Sequence, residues 1–306
     1  MMTTRSFPYY IDHIDATEFH GYALSGWLYS GRTKFQTMEV VESPKFGKML
    51  ILDGKVQSAA LDEHVYHEAL AHPAMLLHPD PRRVLVLGGG EGATLREVLR
   101  YRMVEEVVMV DLDEEVINVC REYLPEWSAG AFEDARTTLA CEDARQFLQR
   151  AASSFDVIIH DITDPVTADF SEAYYRAIRQ RLAPRGILAM QALECTVSDF
   201  GGHLKVRQEV GKIFPWLLSY RAYIPSFRAE WGFLLATTGE RLDPMATAIL
   251  AARISERLGR DGGLRFYGPA VHTALCTLPR ELGRLIGQTD EGQDAGTRVG
   301  VDRPGG

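Results

Sequence analysis

The sequence predicts an α/β fold in which a doubly wound parallel sheet follows a small N-terminal β domain. Between about residues 83 and 236, apolar runs alternate with helical patterns, as in consecutive strand–helix–strand units with right-handed crossovers. The apolar runs lack polar alternation, so we expect helices to cover their strands on both faces. The beginning of the chain instead shows the alternation and tight turns of β-hairpins.

Three segments follow one another along the chain. Residues 1–78 are predicted to form an all-β module, and Asp53-Gly54 is its clearest hairpin signal. Residues 79–287 are predicted to hold the doubly wound sheet. Residues 288–306 contain almost no large apolar side chain, so we expect a disordered tail there.

The first strand of the larger domain is an apolar run that ends in a glycine-rich turn. Gly88, Gly89 and Gly90 have no Cβ atoms, so their backbone can approach a ligand closely. The chain then continues as a helix over 94–100, and a helix N-terminus after such a turn favours ligand binding. Gly88 and Gly90 are therefore candidate binding residues.

Helical periodicity predicts the elements that alternate with the later strands. These helices cover 114–123, 144–151, 172–182 and 203–214. Asp243 is followed by Pro244, which is the pattern of a capping side chain with proline at the first helical position. The helix predicted to start there is rich in Ala, Ile and Leu and runs to about residue 258.

Composition restricts the class of protein. The chain has 306 residues, 46% of them hydrophobic, which is enough for a full core. It has no apolar run near the ~18 residues of a membrane span and no apolar signal core, so we predict a cytoplasmic protein without a membrane partner. The net charge of −9 argues against nucleic acid as a partner and is compatible with a cationic substrate. The four cysteines have neither zinc-site nor disulfide spacing.

Acidic residues follow the glycine turn and the next strand-like run. Asp111 ends the second apolar run and is placed to take the ribose hydroxyls of a nucleotide-type ligand. Glu91 is an anion inside the glycine turn, where a phosphate would need positive partners. It therefore predicts a cationic group on the ligand.

Two further acidic positions each have two interpretations. Asp161 and Asp164 lie three residues apart at a strand end, with Pro165 preventing a helix. Such a pair either caps backbone amides or carries chemistry, and its place opposite the glycine turn favours chemistry. Asp143, before the small residue Ala144, either caps a helix or accepts from the exocyclic amine of adenine.

One segment has some features of a metal site. His64, His67, Glu68 and His72 are near helical spacing, but their order matches neither His-Glu-x-x-His nor His-x-x-Glu-His. We therefore predict that the chain binds no metal. The sequence also lacks a Gly-x-Ser-x-Gly elbow and a P-loop lysine, which are the central residues of many hydrolases and NTPases.

Several motifs, taken in order, resemble those of the polyamine aminopropyltransferases, the spermidine synthase family. The resemblance covers about residues 20–285. Its motifs are FQ at 35–36, LDGKVQ at 52–57, DExxYHE at 62–68, GGGEG at 88–92, VDLDEEV at 110–116, DAR at 143–145, DITDP at 161–165, IPSF…WGF at 224–233 and FYGPAVHTALCTLP at 266–279. The glycine motif with Glu in place of Asp is most similar to members that make aminopropylagmatine or thermospermine.

The resemblance implies a Rossmann-like, methyltransferase-type domain. It also implies transfer of an aminopropyl group from decarboxylated S-adenosylmethionine to an amine, with release of methylthioadenosine. By matching position, the donor is bound by Gln36, His67, Glu91, Asp111, Asp143 and Ala144. Asp161 is the implied catalytic base, while Tyr66 and Asp164 position the acceptor. A homodimer or homotetramer is implied as well.

The implied chemistry requires acidic residues of this kind. A primary amine has a pKa near ~10.4 and must lose a proton before it can attack, which is the role of Asp161 with help from Tyr66. Glu91 and Asp161 would hold the terminal ammonium of the donor. Ordinary S-adenosylmethionine carries a carboxylate at that point, so the same two residues would repel it.

Two positions depart from the family's pattern. Many members have Gly or Gly-Pro after Asp164-Pro165, and this chain does not. Phe227 replaces the usual Tyr of the IPxY segment, which removes a hydroxyl from the acceptor side. We therefore expect Phe227 to line the site of an acceptor longer than putrescine, with agmatine or a triamine such as spermidine favoured and putrescine as the other acceptor left open. The alternative is that Phe227 only packs in the core.

Two other functions stay open at this point. One is an S-adenosylmethionine-dependent methyl- or aminocarboxypropyl-transferase on the same fold, against which Glu91 argues. The other is a non-catalytic protein that binds polyamines or nucleotides. Tyr66, Asp161 and Asp164 argue against it, because binding alone does not require a base.

Overall fold

The computed structural model describes residues 7–162, 171–243, 245–259 and 263–287, and its strands form three sheets. The N-terminal part of the chain forms a two-stranded and a four-stranded antiparallel sheet. Their strands are β1 (Tyr9–His13), β2 (Phe19–Ala23), β3 (Gly26–Arg32), β4 (Thr37–Ser43), β5 (Gly47–Leu52) and β6 (Lys55–Ala59). The third sheet contains β7 (Arg83–Gly88), β8 (Glu106–Asp111), β9 (Thr137–Cys141), β10 (Phe155–Asp161), β11 (Leu182–Glu194), β12 (Trp216–Ile224) and β13 (Ala229–Thr237).

The third sheet has seven strands within the described residues and is mixed in direction. Its order is β12-β13-β11-β10-β7-β8-β9, and the strands from β11 to β9 are all parallel. At the other edge, β13 pairs antiparallel with both β11 and β12. The predicted fold class, a doubly wound α/β sheet with a small N-terminal β domain, is confirmed. The expectation that the whole sheet is parallel is wrong for β12 and β13.

Helices cover both faces of this sheet. They are α1 (Glu63–Leu77), α2 (Ala93–Leu99), α3 (Glu114–Tyr123), α4 (Pro125–Ser128), α5 (Ala144–Arg150), α6 (Glu172–Arg181), α7 (Gly201–Gly211), α8 (Thr247–Leu258) and α9 (Pro269–Cys276), with a 3₁₀ turn at Ala131–Glu133. Val84 and Val86 pack with α1, α2, α8 and α9, whereas Leu85 and Leu87 pack with α5, α6 and α7. All four side chains are fully buried, which explains the apolar run without alternation. Within the described ranges, no helix is long and apolar enough to cross a membrane.

Predicted turns and helix starts agree with the structure to different degrees. Asp53 and Gly54 join β5 to β6 with φ angles of 46° and 81°, as the hairpin prediction requires. The helix predicted at Asp243 begins only at Thr247. The Asp243 carboxylate accepts from the backbone N–H of Met245 at 2.8 Å, so it stabilises a turn that precedes the helix. Pro244 and the predicted tail at 288–306 lie outside the described residues.

The all-β prediction for residues 1–78 is wrong for the last part, which forms α1. Leu70 and Met75 of α1 belong to the same apolar cluster as Val86 of β7. Pro73 lies inside the helix, and proline normally argues against one. The middle of α1 is also buried on all sides, which hides helical periodicity. These contacts place α1 against the large sheet, while the predicted division into domains stays a prediction.

Gly88 lies where β7 and β10 end side by side. Its φ is +83°, and a Cβ atom there would lie 2.2 Å from the backbone oxygen of Asp161. The next residue, Gly89, donates its N–H to that same oxygen at 3.1 Å. Position 88 therefore requires glycine both for its backbone conformation and for the close approach of β10.

Gly88→Ala should lower the free energy of unfolding by about 3 kcal/mol, because a left-handed backbone and a steric overlap act together. Gly130 is the matched control, since its φ is also +83° but its Cβ would meet nothing within 4 Å. Gly130→Ala should cost only about 1 kcal/mol. Denaturant unfolding of both variants measures the difference, and equal losses would contradict the steric explanation.

Candidate active site

The predicted site residues meet at the edge where the parallel strands end. Asp161 pairs in register with Gly88, and Asp111 pairs with Cys141, so the ends of β10, β7, β8 and β9 lie side by side. Tyr66 on α1 reaches the same edge through its contact with Asp161. Asp164, which the sequence analysis placed in this site, lies outside the described residues.

Two hydroxyl groups hold the carboxylate of Asp161. Tyr66 Oη donates to Oδ1 at 2.8 Å, and Thr94 Oγ1 donates to Oδ2 at 2.6 Å. Donors on both oxygens fix the orientation of the carboxylate at the end of β10. Tyr66 is one of the predicted site residues, whereas Thr94 is not, because a threonine in the first turn of a helix shows no separate signal in the sequence.

Both carboxylate oxygens of Glu91 also have partners. Oε1 lies 2.6 Å from His67 Nε2, and Oε2 accepts from Ser58 Oγ at 2.6 Å. The Ser58 oxygen in turn accepts from Trp127 Nε1 at 3.0 Å. The structure thus brings the predicted residues Glu91 and His67 together, and it adds Ser58, which is not among the predicted residues.

His67 is held as an imidazolium cation. Its Nδ1 lies 2.6 Å from the backbone carbonyl oxygen of Glu63, which can only accept, and its Nε2 faces the Glu91 carboxylate. Both ring nitrogens therefore need a proton. Burial opposes the charged form, but Glu91 and the Glu63 carboxylate together raise the pKa of His67 to about 10.

Alternating charges continue from Glu63 along α1 and α2. The Glu63 carboxylate accepts from Arg96 Nη2 at 2.8 Å, and Arg96 Nε donates to Glu97 at 2.9 Å. Glu97 also lies 3.0 Å from the ring of His72. Burial would raise the pKa of Glu63, yet its hydrogen bonds and ion pairs with His67 and Arg96 lower it to about 2. Each charged group in this row is therefore stabilised by its neighbours.

The structure gives the histidine-rich segment of α1 a role in packing and charge pairing. Glu68 accepts from three successive backbone N–H groups, those of residues 265–267, at 2.7 to 2.9 Å. His72 is enclosed by Glu97 and Tyr101. In the part of the chain that the structure describes, no group of three or more His, Cys, Asp or Glu side chains is arranged to hold a metal ion.

Asp111 lies beside the glycine turn. Burial raises the pKa of its carboxyl group to about 6. A Cβ atom on Gly90 would lie 2.9 Å from Asp111 Oδ2, so the missing side chain lets the carboxylate approach the turn. This arrangement places Asp111 next to the backbone of the glycine turn, while its contact with a ribose stays a prediction.

Gln36 reaches this region from the turn between β3 and β4. Its Nε2 donates to Asp113 Oδ2 at 3.0 Å, and Thr33 Oγ1 donates to the same oxygen at 2.5 Å. Asp113 also caps α3 by accepting from the N–H of Glu115. The predicted residue Gln36 is thus attached to the loop after β8 through Asp113, and Thr33 from its own turn holds the same carboxylate.

Asp143 caps α5, which confirms the first of its two interpretations. Its carboxylate accepts from the backbone N–H groups of Arg145 and Gln146, at 2.7 and 3.3 Å. Ala144 is the first residue of that helix. Both residues follow β9 and lie next in space to Asp111, because Glu142 N donates to the Asp111 carbonyl at 3.0 Å. A contact of Asp143 with a base stays a prediction.

Phe227 is half-buried and lies beside Tyr66. The ring centroids of these two residues are 6.0 Å apart, and those of Phe227 and Trp231 are 5.1 Å apart. Phe227 packs with the cores of both the large sheet and the N-terminal module. Its aromatic ring therefore contacts the residue that holds Asp161 and also contributes to packing.

Comparison with known proteins assigns this arrangement to a family. The model described as spermine/spermidine synthase domain matches residues 63–244, and the one described as spermidine synthase tetramerisation domain matches residues 9–60. The chain belongs to the spermine/spermidine synthase family. Family membership makes it an aminopropyltransferase, and the predicted resemblance is confirmed.

Curated members of the family align over most of the chain. The polyamine aminopropyltransferase of Aeropyrum pernix is 42% identical over 263 residues, which cover 83% of this chain and 82% of that protein. Polyamine aminopropyltransferase 2 of Pseudomonas aeruginosa is 42% identical over 254 residues, which cover 81% of this chain and 73% of that protein.

Solved structures of the family share the fold. Spermidine synthase from Thermotoga maritima superposes with a TM-score of 0.83 at 28% identity, covering 94% of this chain and 96% of that one. A spermidine synthase in complex with the transition-state analogue AdoDATO has a TM-score of 0.84 at 28% identity, covering 94% of this chain and 97% of that one.

The charged state of His67 predicts a pH dependence of stability. Because its folded pKa is raised from 6.5 to about 10, its contribution is fully present below pH 6.5 and is lost as the pH rises through 10. The free energy of unfolding should therefore fall between neutral pH and pH 10, and His67→Gln should reduce that fall. Denaturant unfolding across this pH range measures it.

His203 supplies the control for this experiment. It is also fully buried, but burial lowers its pKa to about 4, so it is neutral throughout the range tested. His203→Gln should lower stability by the same amount at every pH. A His67→Gln variant with the pH slope of the unaltered protein would contradict the imidazolium assignment.

Proposed function

We propose that this aminopropyltransferase takes decarboxylated S-adenosylmethionine as its donor and an amine longer than putrescine as its acceptor. Methylthioadenosine is the second product. The observation that carries the proposal is the pair of carboxylates at one sheet edge. Asp161 is held by Tyr66 and Thr94, and Glu91 is held by His67 and Ser58.

Donor binding is assigned along the strand ends. Asp111 takes the ribose hydroxyls, and the residues at the start of α5 take the adenine. The backbone of the glycine turn lies against the sulfonium part of the donor. The assigned residues are Gln36, His67, Gly88, Gly90, Glu91, Asp111, Asp143 and Ala144. Support comes from their placement around one edge and from the glycines that let the carboxylates approach.

The transfer itself is an in-line displacement. The acceptor nitrogen attacks the carbon bonded to the sulfonium sulfur, the carbon–sulfur bond breaks, and its electron pair stays on sulfur. Asp161 removes the proton from the attacking amine, while Tyr66 and Asp164 position that amine. Because the two hydroxyls keep Asp161 in one orientation, its carboxylate meets the amine without rearrangement, which is a large part of such rate enhancements.

Donor selectivity follows from charge. The Glu91 carboxylate attracts the terminal ammonium of the decarboxylated donor and opposes the carboxylate of ordinary S-adenosylmethionine. His67 lies between Glu91 and Glu63, and Arg96 also pairs with Glu63, so the imidazolium charge is shared by two carboxylates. The Glu91 carboxylate favours aminopropyl transfer over methyl transfer. Asp161 adds a base that a purely binding protein would not need.

We also propose a homo-oligomer, either a dimer or a tetramer. Large apolar side chains of the N-terminal strands face outward, with Tyr9 65%, Phe19 61% and Trp27 51% exposed. Such exposure on neighbouring strands is typical of an interface. The matched region at 9–60 is the one described as a tetramerisation domain, which supports assembly through these strands.

We propose that the chain is divided into an N-terminal domain at 1–78, a catalytic domain at 79–287 and a tail at 288–306. We also propose a cytoplasmic location. The separate antiparallel sheets before α1 support an independent N-terminal unit. All four cysteines are free thiols, which is compatible with a reducing compartment.

Asp161→Asn should lower kcat by roughly 10²–10⁴ and leave donor affinity nearly unchanged, because it removes a positioned base. Asp156 is the control on the opposite end of β10, where it accepts from the backbone N–H groups of Arg82 and Arg83. Asp156→Asn should affect stability and not turnover. Product formation, followed by mass, measures both variants. Near-normal turnover of the Asp161→Asn variant at neutral pH would show that Asp161 is not the catalytic base.

Competition kinetics test the acceptor. With agmatine, putrescine, cadaverine, spermidine and norspermidine, we expect the highest kcat/KM for agmatine or a triamine, since Phe227 offers apolar contact and no hydroxyl. Phe227→Tyr should shift kcat/KM toward short diamines about fivefold, which corresponds to about 1 kcal/mol for one modest hydrogen bond. A putrescine kcat/KM well above those of agmatine and spermidine would refute the long acceptor.

A further inference from the structure

Ser58 connects two sheets through one side chain. It lies on β6 of the four-stranded sheet, and its hydroxyl contacts Glu91 in the turn after β7. The same oxygen contacts the indole of Trp127 on α4. Ser58, Glu91 and Trp127 are only 3%, 8% and 1% exposed, respectively, so water competes little for these hydrogen bonds.

The chemistry of the partners determines the direction of both hydrogen bonds. An indole N–H can only donate, so the Ser58 oxygen accepts from Trp127 at 3.0 Å. The Ser58 hydroxyl then gives its own proton to Oε2 of Glu91 at 2.6 Å. His67 holds the other carboxylate oxygen, also at 2.6 Å. Glu91 is therefore fixed from two sides and cannot rotate without breaking a buried hydrogen bond.

We propose that Ser58 is a positioning residue for donor recognition, through which the N-terminal sheet orients Glu91 toward the donor's terminal ammonium. The inference rests on the proposed contact between Glu91 and that ammonium. Ser58 does not itself touch the donor. It keeps Glu91 in the orientation that the ammonium requires, so that binding needs no reordering of the carboxylate.

Two ligands separate this role from a general effect on the fold. Methylthioadenosine has the adenosine and sulfur of the donor but lacks the aminopropyl group, so it cannot contact Glu91 through an ammonium. Methylthioadenosine is also an uncharged thioether, so the ratio of the two dissociation constants reports the contacts of the aminopropyl group together with those of the sulfonium charge. A residue that only stabilises the fold changes both constants together and leaves their ratio unchanged.

Isothermal titration calorimetry of the full chain at neutral pH, without acceptor, measures the ratio. Ser58→Ala should weaken binding of decarboxylated S-adenosylmethionine about tenfold, as expected for a lost hydrogen bond to a charged group, and leave methylthioadenosine binding unchanged. Ser58→Thr keeps the hydroxyl and should restore the ratio. Ser43→Ala is the control, because Ser43 is equally buried on β4 of the same sheet and accepts within its own turn.

Glu91→Gln, measured in parallel, distinguishes the two possible failures. If Glu91→Gln loses the preference for the decarboxylated donor and Ser58→Ala keeps it, the inference about Ser58 is wrong and the proposed function stands. If the unaltered protein binds both ligands equally, the proposed role of Glu91 fails and that of Ser58 fails with it. An equal change of ratio in Ser43→Ala and Ser58→Ala would also overturn the inference.

Discussion

The site depends on one backbone contact, the approach of β10 to the glycine turn after β7. Gly88 leaves space for the carbonyl of Asp161, and Gly89 donates to it. Because the two strand ends are joined in this way, the Asp161 side chain lies beside the start of α2, where Thr94 can hold it. The glycines therefore position the Asp161 carboxylate, which is the proposed base, and a side chain at position 88 would displace it.

Charge balance is the second constraint on this molecule. A site for a cationic donor needs carboxylates, yet several carboxylates buried together repel one another. Here His67 and Arg96 lie between Glu91, Glu63 and Glu97, so each carboxylate has a cation next to it. This row of charged side chains runs along α1 and α2. Two of the histidines of α1, whose spacing has some features of a metal site, therefore pair with carboxylates.

The N-terminal module takes part in the site as well as in the proposed assembly. Ser58 reaches Glu91 from β6, and Gln36 reaches Asp113 from the turn before β4. Through these contacts, the orientation of the N-terminal sheets affects the positions of side chains in the proposed donor pocket. The two hydrogen bonds measure 2.6 and 3.0 Å.

The sequence alone predicted the parallel strands, the glycine turn and the candidates Asp161 and Glu91, because local periodicity and short motifs encode them. Tyr66 became a candidate through the resemblance of its motif to that of the family. The sequence did not identify α1, whose buried faces and Pro73 hide its period. Nor did it identify Ser58 or Thr94. These residues act through hydrogen bonds to side chains about 33 and 67 positions away, and such contacts exist only once the chain has folded. Tertiary structure decided which donors hold each carboxylate, since the burial of a side chain and the direction in which it points are properties of the packed molecule.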